Sequence, residues 1–324
     1  MKVSSKIKVL LGAMAVAAAS LAHADNWPAR PLKLIVSQGA GGSTDTIART
    51  WAEYVGRAIG QPIVVENRPG AGGIIAAQAV LAQPADGYTL FLAGVSQMVL
   101  NKFVYKPLAY DPDKDFVGVA TMSVVPFVLV ANPATGFKSF GDLKSAALAK
   151  PERLNFASSG RGNSTHLVVE LLQKQSGIRM SHIPYRGETD GVVATASGNT
   201  EIMAPTLSTA LPLIKSGKLV PLLLLSKQRN PDLPDLPTAK ELGMEGFDDI
   251  GWAGIAAKSG TPPEVLAKLH AATNAFLDDP ATVAKFQSMQ TEVLKSDQGA
   301  LMRYTARDTI KWRDAIGNLE LSPN

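Results

Sequence analysis

The chain has 324 residues, of which 46% are hydrophobic and 19% charged, and its mean hydropathy is +0.07. This composition is typical of a globular protein with a sizeable core and excludes a disordered or low-complexity chain. Because no cysteine is present, disulfide frameworks, thiolate metal sites and cysteine nucleophiles are excluded as well.

The net charge of +4 is concentrated at the N-terminus. Residues 1–24 contain three lysines and no acid, so removing them from the 32 basic residues leaves 29 against 28 acidic residues, a net charge of +1. Bulk charge therefore does not indicate a nucleic-acid partner.

These first 24 residues have the three parts of a secretory signal peptide. A basic segment (MKVSSKIK) precedes an apolar stretch (VLLGAMAVAAASLA) and the small-x-small tripeptide Ala22-His23-Ala24. The apolar stretch is shorter than a membrane span needs, which argues against a membrane anchor. We expect cleavage after Ala24 and a soluble periplasmic protein that begins at Asp25.

The mature chain opens with alternating strands and helices. A strand (PLKLIVSQ) and a glycine-rich loop lead to a helix from Thr44 to Ile59, followed by a strand at 63–67, a helix at 74–82 and a strand at 88–94. This spacing predicts a parallel α/β unit with right-handed crossovers, in which ligands bind at the carboxyl ends of the strands.

A proline-interrupted apolar stretch at 115–131 predicts two strands with a change of domain near Pro126. The pattern then restarts, with helices at 139–150, 165–176, 191–197 and 208–215 between short strands. A charged, proline-rich connector (KQRNPDLPDLPT) precedes GWAGIAAKSG, which predicts a strand that returns to the first domain. Two helices follow, one with Thr261 as its N-cap and one that begins at Asp279-Pro280.

The sequence thus predicts an α/β protein of two lobes, each a mainly parallel sheet flanked by helices, with a ligand cleft between them. The first lobe comprises residues 25–124 and 247–324, and the second lobe, residues 125–246, is inserted between these parts. We expect the connecting segments near Val125 and near Lys227–Pro231 to form the hinge.

Three loops rich in hydrogen-bond donors follow predicted strands. The first loop, SQGAGGSTD at residues 37–45, combines glycines, hydroxyls and a helix N-terminus, which is typical of an anion site. A tight turn with Ser43 as N-cap is the alternative. The loop lacks the third small residue of a dinucleotide-binding motif, although Glu66 has the position of a ribose-binding acid, and it lacks the Lys-Ser/Thr of a P-loop.

The second loop, ASSGRGNSTH at residues 157–166, supplies many neutral donors and one cation, Arg161. The third loop, IPYRGETDG at residues 183–191, supplies Tyr185, Arg186 and Gly187. Convergence of the three loops predicts a small anionic ligand held mainly by neutral donors. Either arginine can instead be a solvated surface residue.

The sequence contains few residues that would support a catalytic site or a metal site. His166 and Glu170 lie one helical turn apart, but two ligands do not make a metal site and no HExxH is present, so we expect His166 to donate to a loop carbonyl or to the ligand. No GxSxG elbow occurs. We expect no enzyme, no metal and no cofactor, and the alternative is an exported NAD-dependent oxidoreductase or hydrolase.

The three loops, together with VVENRPGAGG, PADGYTL and LPDLPTAKELG, resemble the tripartite tricarboxylate transporter substrate-binding proteins, the TctC-like or Bug family. The resemblance covers nearly the whole mature chain in order. It implies a type II periplasmic binding protein that captures a small carboxylate and delivers it to a membrane permease with one large and one small subunit. A ligand sensor that docks on a receptor is the alternative.

The resemblance also implies the ligand-binding residues. They are Gly41, Gly42, Ser43 and Thr44 in the first loop, Ser158, Ser159, Gly160, Asn163, Ser164 and His166 in the second, and Tyr185 and Gly187 in the third. Asp45 takes a structural role. Two departures add Ser37, Gln38 and Thr206: Ser37-Gln38 replaces a common Pro-Phe, and Ala204-Pro205-Thr206 replaces a common Phe-Asp-Asn. Because the lost aspartate removes a partner for an ammonium group, we expect a di-, tri- or aromatic carboxylate without an amino group.

Overall fold

The computed structural model describes residues 27–316, so the predicted signal peptide lies outside the described residues. Within that range the strands form two sheets. The strands of the first sheet are β1 (Leu32–Val36), β2 (Ile63–Asn67), β3 (Thr89–Gly94), β4 (Phe116–Val124), β10 (Trp252–Lys258) and β11 (Glu292–Val293). Those of the second are β5 (Phe127–Ala131), β6 (Asn155–Ser158), β7 (Ser181–Pro184), β8 (Ile202–Met203) and β9 (Val220–Leu225).

The order of strands in the first sheet is β11-β4-β10-β3-β1-β2. β1 pairs in parallel with β2 and β3, as the opening strand-helix alternation predicts. β10 returns from the far part of the chain and pairs antiparallel with both β3 and β4. As a result, β1, β3 and β4 all end at the same edge of this sheet.

The order in the second sheet is β7-β6-β8-β5-β9. β6 pairs in parallel with β7 and β8, and β5 runs antiparallel to β8 and β9. The carboxyl ends of β6, β7, β8 and β9 therefore share the edge at which β5 begins. Together the two sheets confirm the predicted two-lobe α/β fold, and the residue boundaries predicted for the lobes stay predictions.

Helices cover both sheets. They are α1 (Ser43–Ile59), α2 (Ile74–Leu81), α3 (Asn101–Val104), α4 (Pro112–Asp115), α5 (Phe140–Ala149), α6 (Ser164–Ser176), α7 (Glu188–Ala196), α8 (Leu207–Lys215), α9 (Pro263–Asp278), α10 (Pro280–Ser288) and α11 (Ala300–Ile316). Short 3-10 turns at Ala71–Gly73, Pro133–Thr135 and Lys240–Leu242 and a π-helix at Ser96–Leu100 join them. Each long helix directs an apolar stripe toward its sheet.

The chain passes between the sheets at two points that lie side by side. Val125 and Pro126 join β4 to β5, and Gly251 directly precedes β10. The Val125 N–H donates to the Gly251 carbonyl at 3.0 Å. A Cβ at Gly251 would lie 2.1 Å from the Val125 carbonyl oxygen, so the two strands can approach this closely only because the residue is glycine.

The second crossing was expected near Lys227–Pro231, and this expectation is wrong. The main chain at Pro237 and Ala239 is still hydrogen-bonded to Leu224 of β9, so the connector runs along the second sheet after Pro231. The proline-rich composition of the connector marks a surface segment rather than the hinge.

Three tryptophans locate the core of the first lobe. Trp51 on α1 and Trp312 on α11 are fully buried, as their helical spacing predicts. Trp252 is buried as well, and its Nε1 donates to Asp308 Oδ2 at 2.6 Å. Trp252 therefore anchors the start of β10, directly after the hinge.

Two predicted helix starts differ from the structure. The helix expected at 191–197 begins three residues earlier, at Glu188. Thr261 does not cap α9, because Pro262 occupies the N-cap position and the Thr261 hydroxyl donates to the Lys258 carbonyl at 2.7 Å. Asp279 does cap α10, as expected, and its carboxylate accepts the Thr282 N–H at 2.9 Å.

Candidate functional site

The carboxyl ends of the strands in both sheets meet at the junction of the lobes. β4 ends there and continues through Pro126 into β5, so the edge at which β1 and β3 end adjoins the edge at which β6, β7 and β8 end. The first loop follows β1, the second follows β6 and the third follows β7. The three predicted loops therefore border one cleft, where α/β folds bind their ligands.

The first loop leaves backbone donors free. α1 begins at Ser43, and the N–H groups of Gly42, Ser43 and Thr44 have no acceptor among residues 27–316. Gly42 is exposed, and Ser43 and Thr44 are half-buried. Adjacent free N–H groups at the positive end of a long helix form a binding site for an anion such as a carboxylate.

Asp45 holds this loop in shape. Its carboxylate accepts the Gly41 N–H at 3.0 Å, Arg49 Nε at 2.9 Å and Asn67 Nδ2 at 2.9 Å. Burial raises the pKa of Asp45, but the hydrogen bonds from Arg49, Gly41 and Asn67 outweigh it and hold this pKa below its ordinary value. These bonds give Asp45 the structural role expected of it. They also occupy the Gly41 N–H, whereas the amides of Gly42, Ser43 and Thr44 are unused, and Gly41 stays a predicted site residue.

The two polar residues at the start of the first loop support its backbone. Ser37 is buried, and its hydroxyl donates to Gln38 Oε1 at 3.1 Å. Gln38 is exposed, and its carbonyl accepts Asn67 Nδ2 at 3.1 Å. Gln38 is therefore the member of this pair that presents a polar side chain to solvent at the cleft.

The second loop repeats the order of strand, loop and helix, but several of its polar groups bond to one another. The Ser164 and Thr165 N–H groups at the start of α6 have no acceptor among residues 27–316. The N–H and the hydroxyl of Ser159 contact Thr165 Oγ1 at 2.8 and 2.7 Å. The Gly160 N–H donates to Ser158 Oγ at 3.1 Å. Ser158 is fully buried, so the structure places it beneath the loop surface and makes it a support of the loop.

His166 also supports the second loop from below. Its Nδ1 accepts the Gly162 N–H at 3.0 Å, so the ring proton is on Nε2, which lies 3.4 Å from Glu170 Oε1. Only 3% of the residue is exposed. The expectation that His166 donates to a loop carbonyl is therefore wrong, because the ring accepts a bond that fixes the Gly162 amide. The alternative, a contact of His166 with the ligand, stays a prediction.

His182 completes this support, and sequence reasoning missed it. Its ring stacks on His166 with centroids 3.8 Å apart and on Phe156 at 5.0 Å. Its Nε2 lies 2.6 Å from Ser158 Oγ, and its buried Nδ1 has no hydrogen-bond partner among the described residues. Burial, with the charges of His166 and Arg161, lowers the pKa of His182 to about 3. The ring is therefore neutral at physiological pH.

The second loop touches the first lobe directly. Asn163 Oδ1 accepts the Ser164 hydroxyl at 3.0 Å and lies 3.5 Å from the hydroxyl of Ser96, which follows β3. Gly162 has a φ of +74°, and a Cβ at this position would lie 2.4 Å from Val104 Cγ1. The loop that His166 fixes is thus also one of the parts of the second lobe that pack against the first.

The third loop brings a carboxylate to the cleft. The Tyr185 N–H donates to the Ser158 carbonyl at 2.9 Å, and Gly187 is the extended N-cap of α7. Glu188 Oε1 accepts the Thr206 N–H at 2.8 Å and the Thr206 hydroxyl at 2.5 Å. Thr206 was predicted as a site residue, whereas its partner Glu188 was not.

Two arginines beside these loops have no ion-pair partner. Among the twelve arginines between residues 27 and 316, nine have a carboxylate within 4.0 Å, and Arg153, Arg161 and Arg186 do not. Arg161 is half-buried in the second loop and Arg186 is exposed in the third. Their positions agree with a cleft that attracts an anion.

In residues 27–316 no group of three or more His, Asp or Glu side chains converges where a metal ion would fit. His166 Nε2 and Glu170 Oε1, the pair considered for a metal, lie 3.4 Å apart. Over the same range, every helix is too short or too polar to cross a membrane.

The sequence matches the family model for the tripartite tricarboxylate transporter family receptor, TctC, over residues 47–321. The chain belongs to this family. Among its relatives, BugT of Bordetella pertussis is 33% identical over 294 residues, which cover 90% of this chain and 90% of BugT. A Cupriavidus necator protein encoded in the gbd 5′ region is 35% identical over 298 residues, 91% of this chain and 89% of that protein.

Solved structures of similar proteins share the fold. A protein of R. palustris with adipate is 30% identical and superposes with a TM-score of 0.84 over 90% of this chain and 97% of that one. MatC from Rhodopseudomonas palustris with bound malate is 30% identical, with a TM-score of 0.82 over 90% of this chain and all of MatC, 100%. The periplasmic binding protein BugD is 28% identical, with a TM-score of 0.83 over 92% and 100% of the two chains.

Proposed function

We propose that this protein captures a small carboxylate in the cleft between its lobes and delivers it to a tripartite tricarboxylate-type transporter. The observation that carries the proposal is the set of free N–H groups at Gly42, Ser43 and Thr44, in a family whose solved members include proteins with adipate and with malate. A dissociation constant of about 1 μM corresponds to roughly −8 kcal/mol, which several charge-assisted hydrogen bonds in a closed cleft can supply.

Binding proceeds by closure of the two lobes. The first loop receives one carboxylate of the ligand, and the second loop, which already packs against Val104, covers the ligand from the other side. The paired strand ends at Val125 and Gly251 are the points about which the lobes move. A ligand that contacts both lobes favours the closed state, since only a difference in affinity between the two states shifts their populations.

The protein acts as a binder rather than as a hydrolase. Ser158 and His182 lie 2.6 Å apart, as a nucleophile and its base would. However, Ser158 is fully buried, and a His182 pKa of about 3 makes this ring a poor base at neutral pH. Their hydrogen bond therefore serves the second loop, which supports a transport role over an esterase or protease.

An NAD-dependent oxidoreductase is supported even less well. Glu66, which has the position of a ribose-binding acid, pairs instead with Arg68 at 3.1 Å. The adjoining loop also lacks the third small residue of the dinucleotide-binding motif.

The protein works in the periplasm and hands its ligand to a permease of one large and one small membrane subunit. The family and the sequence pattern of residues 1–24 support this location and this partner. A receptor in place of the permease would make the protein a sensor with the same cleft.

A thermal-shift screen of the mature protein tests the proposal. The screen compares linear, branched and aromatic carboxylates with sugars and NAD as controls. A carboxylate at about 100 times its dissociation constant adds roughly 2.7 kcal/mol, which corresponds to a rise in Tm of several degrees. A shift with NAD and with no carboxylate would contradict the proposal and favour the oxidoreductase.

A further inference from the structure

Glu188 lies at the edge where the strands of the second sheet end. β6 lies between β7 and β8 in that sheet. Glu188 follows β7, and Thr206 follows β8. Because Thr206 donates its N–H and its hydroxyl to the Glu188 carboxylate, the glutamate side chain extends across the end of β6. Gly191, one turn further along α7, also lies against the end of β6, because a Cβ at this position would be 3.5 Å from the Ser158 carbonyl oxygen.

The carboxylate of Glu188 uses only one of its oxygens. Oε1 accepts both the N–H and the hydroxyl of Thr206, whereas Oε2 has no hydrogen-bond partner among residues 27–316. In the same range, no lysine or arginine lies within 4.0 Å of it. The half-buried side chain thus keeps an acceptor oxygen, without a cation to neutralise it, beside the second loop.

An unpaired carboxylate at an anion site affects which anions bind. It repels a second carboxylate that comes close, and the repulsion grows as water is excluded. A ligand that brings a hydroxyl or an ammonium group to this oxygen replaces the repulsion with a charge-assisted hydrogen bond, one of the stronger kinds in proteins. Glu188 therefore favours carboxylates that also carry a donor.

This position bears on the expected ligand. We expected a ligand without an amino group because Ala204-Pro205-Thr206 lacks the aspartate that is common in the family. Glu188, however, places a carboxylate next to Thr206 in the same segment. We propose that Glu188 is a specificity-determining residue that accepts a hydrogen bond from a hydroxyl or ammonium group of the carboxylate ligand. The inference rests on the proposed function and narrows it.

Calorimetric titration of the mature protein with matched ligand sets tests the inference. Each set keeps one carbon skeleton and places hydrogen, hydroxyl or ammonium on the carbon next to a carboxylate: succinate, malate and aspartate; glutarate, 2-hydroxyglutarate and glutamate; phenylacetate, mandelate and phenylglycine. In the set that binds, we expect the hydroxyl or the ammonium member to bind at least about tenfold more tightly than the plain member. The comparison of these two members identifies the donor.

Glu188→Gln removes the charge and leaves an amide oxygen for Thr206, and Asp190→Asn on the exposed side of α7 is the matched control. We expect Glu188→Gln to narrow the tenfold preference to less than about threefold and Asp190→Asn to leave it unchanged. An equal loss of affinity for all members of a set would show that Glu188 only supports Thr206, and it would overturn the inference.

A wild-type preference for the plain carboxylates would also overturn it. If neither these ligands nor any carboxylate of the thermal-shift screen binds, the proposed function itself is contradicted and the inference falls with it. Binding of the plain carboxylates alone would leave the proposed function standing, so the two failures are distinguishable.

Discussion

The first and second loops have the same sequence pattern, a strand followed by small polar residues and a helix, yet the structure bonds their hydroxyls and loop amides differently. In the first loop the N–H groups of Gly42, Ser43 and Thr44 have no acceptor among the described residues. In the second, Ser158 and Ser159 use their hydroxyls within the loop. The first loop offers its backbone donors to a ligand. The second loop is a prebuilt wall whose serine hydroxyls are already bonded, and its free amides among the described residues include those of Ser164 and Thr165 at the start of α6.

The difference follows from what lies beneath each loop. Under the second loop, stacked His166 and His182 supply buried ring nitrogens that fix Gly162 and Ser158. Under the first loop, Asp45 supplies only a carboxylate, which fixes Gly41 and leaves the next amides free. A glycine- and serine-rich loop is therefore a ligand site only where its supports leave donors unused.

Gly162→Ala disrupts the second loop where it contacts the first lobe. The new Cβ meets Val104, and the left-handed backbone is strained as well, so we expect a loss of about 2–4 kcal/mol in the free energy of unfolding, together with weaker ligand binding. Urea unfolding and calorimetry measure both effects.

Gly177→Ala is the matched control, because Gly177 has a similar φ of +70° with no atom within 4 Å of the added Cβ. We expect it to cost only about 1–2 kcal/mol. Equal losses in the free energy of unfolding for the two variants would show that the contact between Gly162 and Val104 does not contribute to stability.

Asp45→Asn loosens the open loop. The variant weakens the bonds to Gly41 and Arg49, so we expect a loss of about 1–2 kcal/mol at pH 7. Because the folded pKa of Asp45 lies below its unfolded value of about 3.9, its contribution is present above about pH 4 and is lost as the pH falls through the folded pKa. Unfolding at pH 7 and pH 3 should show the difference from wild type shrink, and a constant difference would contradict the assignment.

Ser43→Pro removes the free N–H together with the Ser43 hydroxyl, and Ser43→Ala, which removes the hydroxyl alone, is the matched control. Proline is tolerated at the first position of a helix, and Gly42 already has the extended backbone that precedes a proline. We expect ligand affinity to fall about tenfold, while the free energy of unfolding changes by less than about 0.5 kcal/mol. Unchanged affinity in calorimetry would exclude this amide from the site.

His182→Gln removes a group that makes the stability of the protein depend on pH. The pKa of His182 is lowered to about 3, so below its unfolded pKa of about 6.5 protons bind the unfolded chain preferentially and stability falls. At pH 6 this effect is below about 1 kcal/mol. We expect a plot of Tm against pH between 7 and 5 to be flatter for His182→Gln than for wild type.

The control is His270→Gln in the first lobe, where His270 bonds to the Val119 carbonyl and to Asn274. A profile for His182→Gln as steep as that of wild type would show that His182 does not carry this pH dependence.

Much of the fold was predictable because it depends on periodicity. The strand-helix alternation fixed the parallel pairs of β1, β2 and β3, and Pro126 correctly marked the change of sheet. The position of the second crossing was not predictable, since the proline-rich connector resembles a linker by composition. Only the pairing of Pro237 and Ala239 with β9 shows that it belongs to the second lobe.

The site was predictable by loop but not by role. The donor-rich loops indicated which segments border the cleft, but residue type does not say whether a donor is already used. Gly41 and Gly42 are adjacent glycines, and they differ only because the Asp45 carboxylate accepts the N–H of Gly41 and not that of Gly42. His182 and Glu188 were missed because their roles depend on contacts with Ser158 and Thr206, 24 and 18 residues away.

The most direct test of the contrast between the loops is an NMR titration of the 15N-labelled mature protein with the carboxylate that stabilises it most. Amide hydrogen bonds to a carboxylate move the proton resonance downfield. We predict such shifts for Gly42, Ser43 and Thr44, with smaller changes at Gly160 and Gly162, whose N–H groups are already bonded to Ser158 and His166. Downfield shifts confined to the second loop would contradict the account.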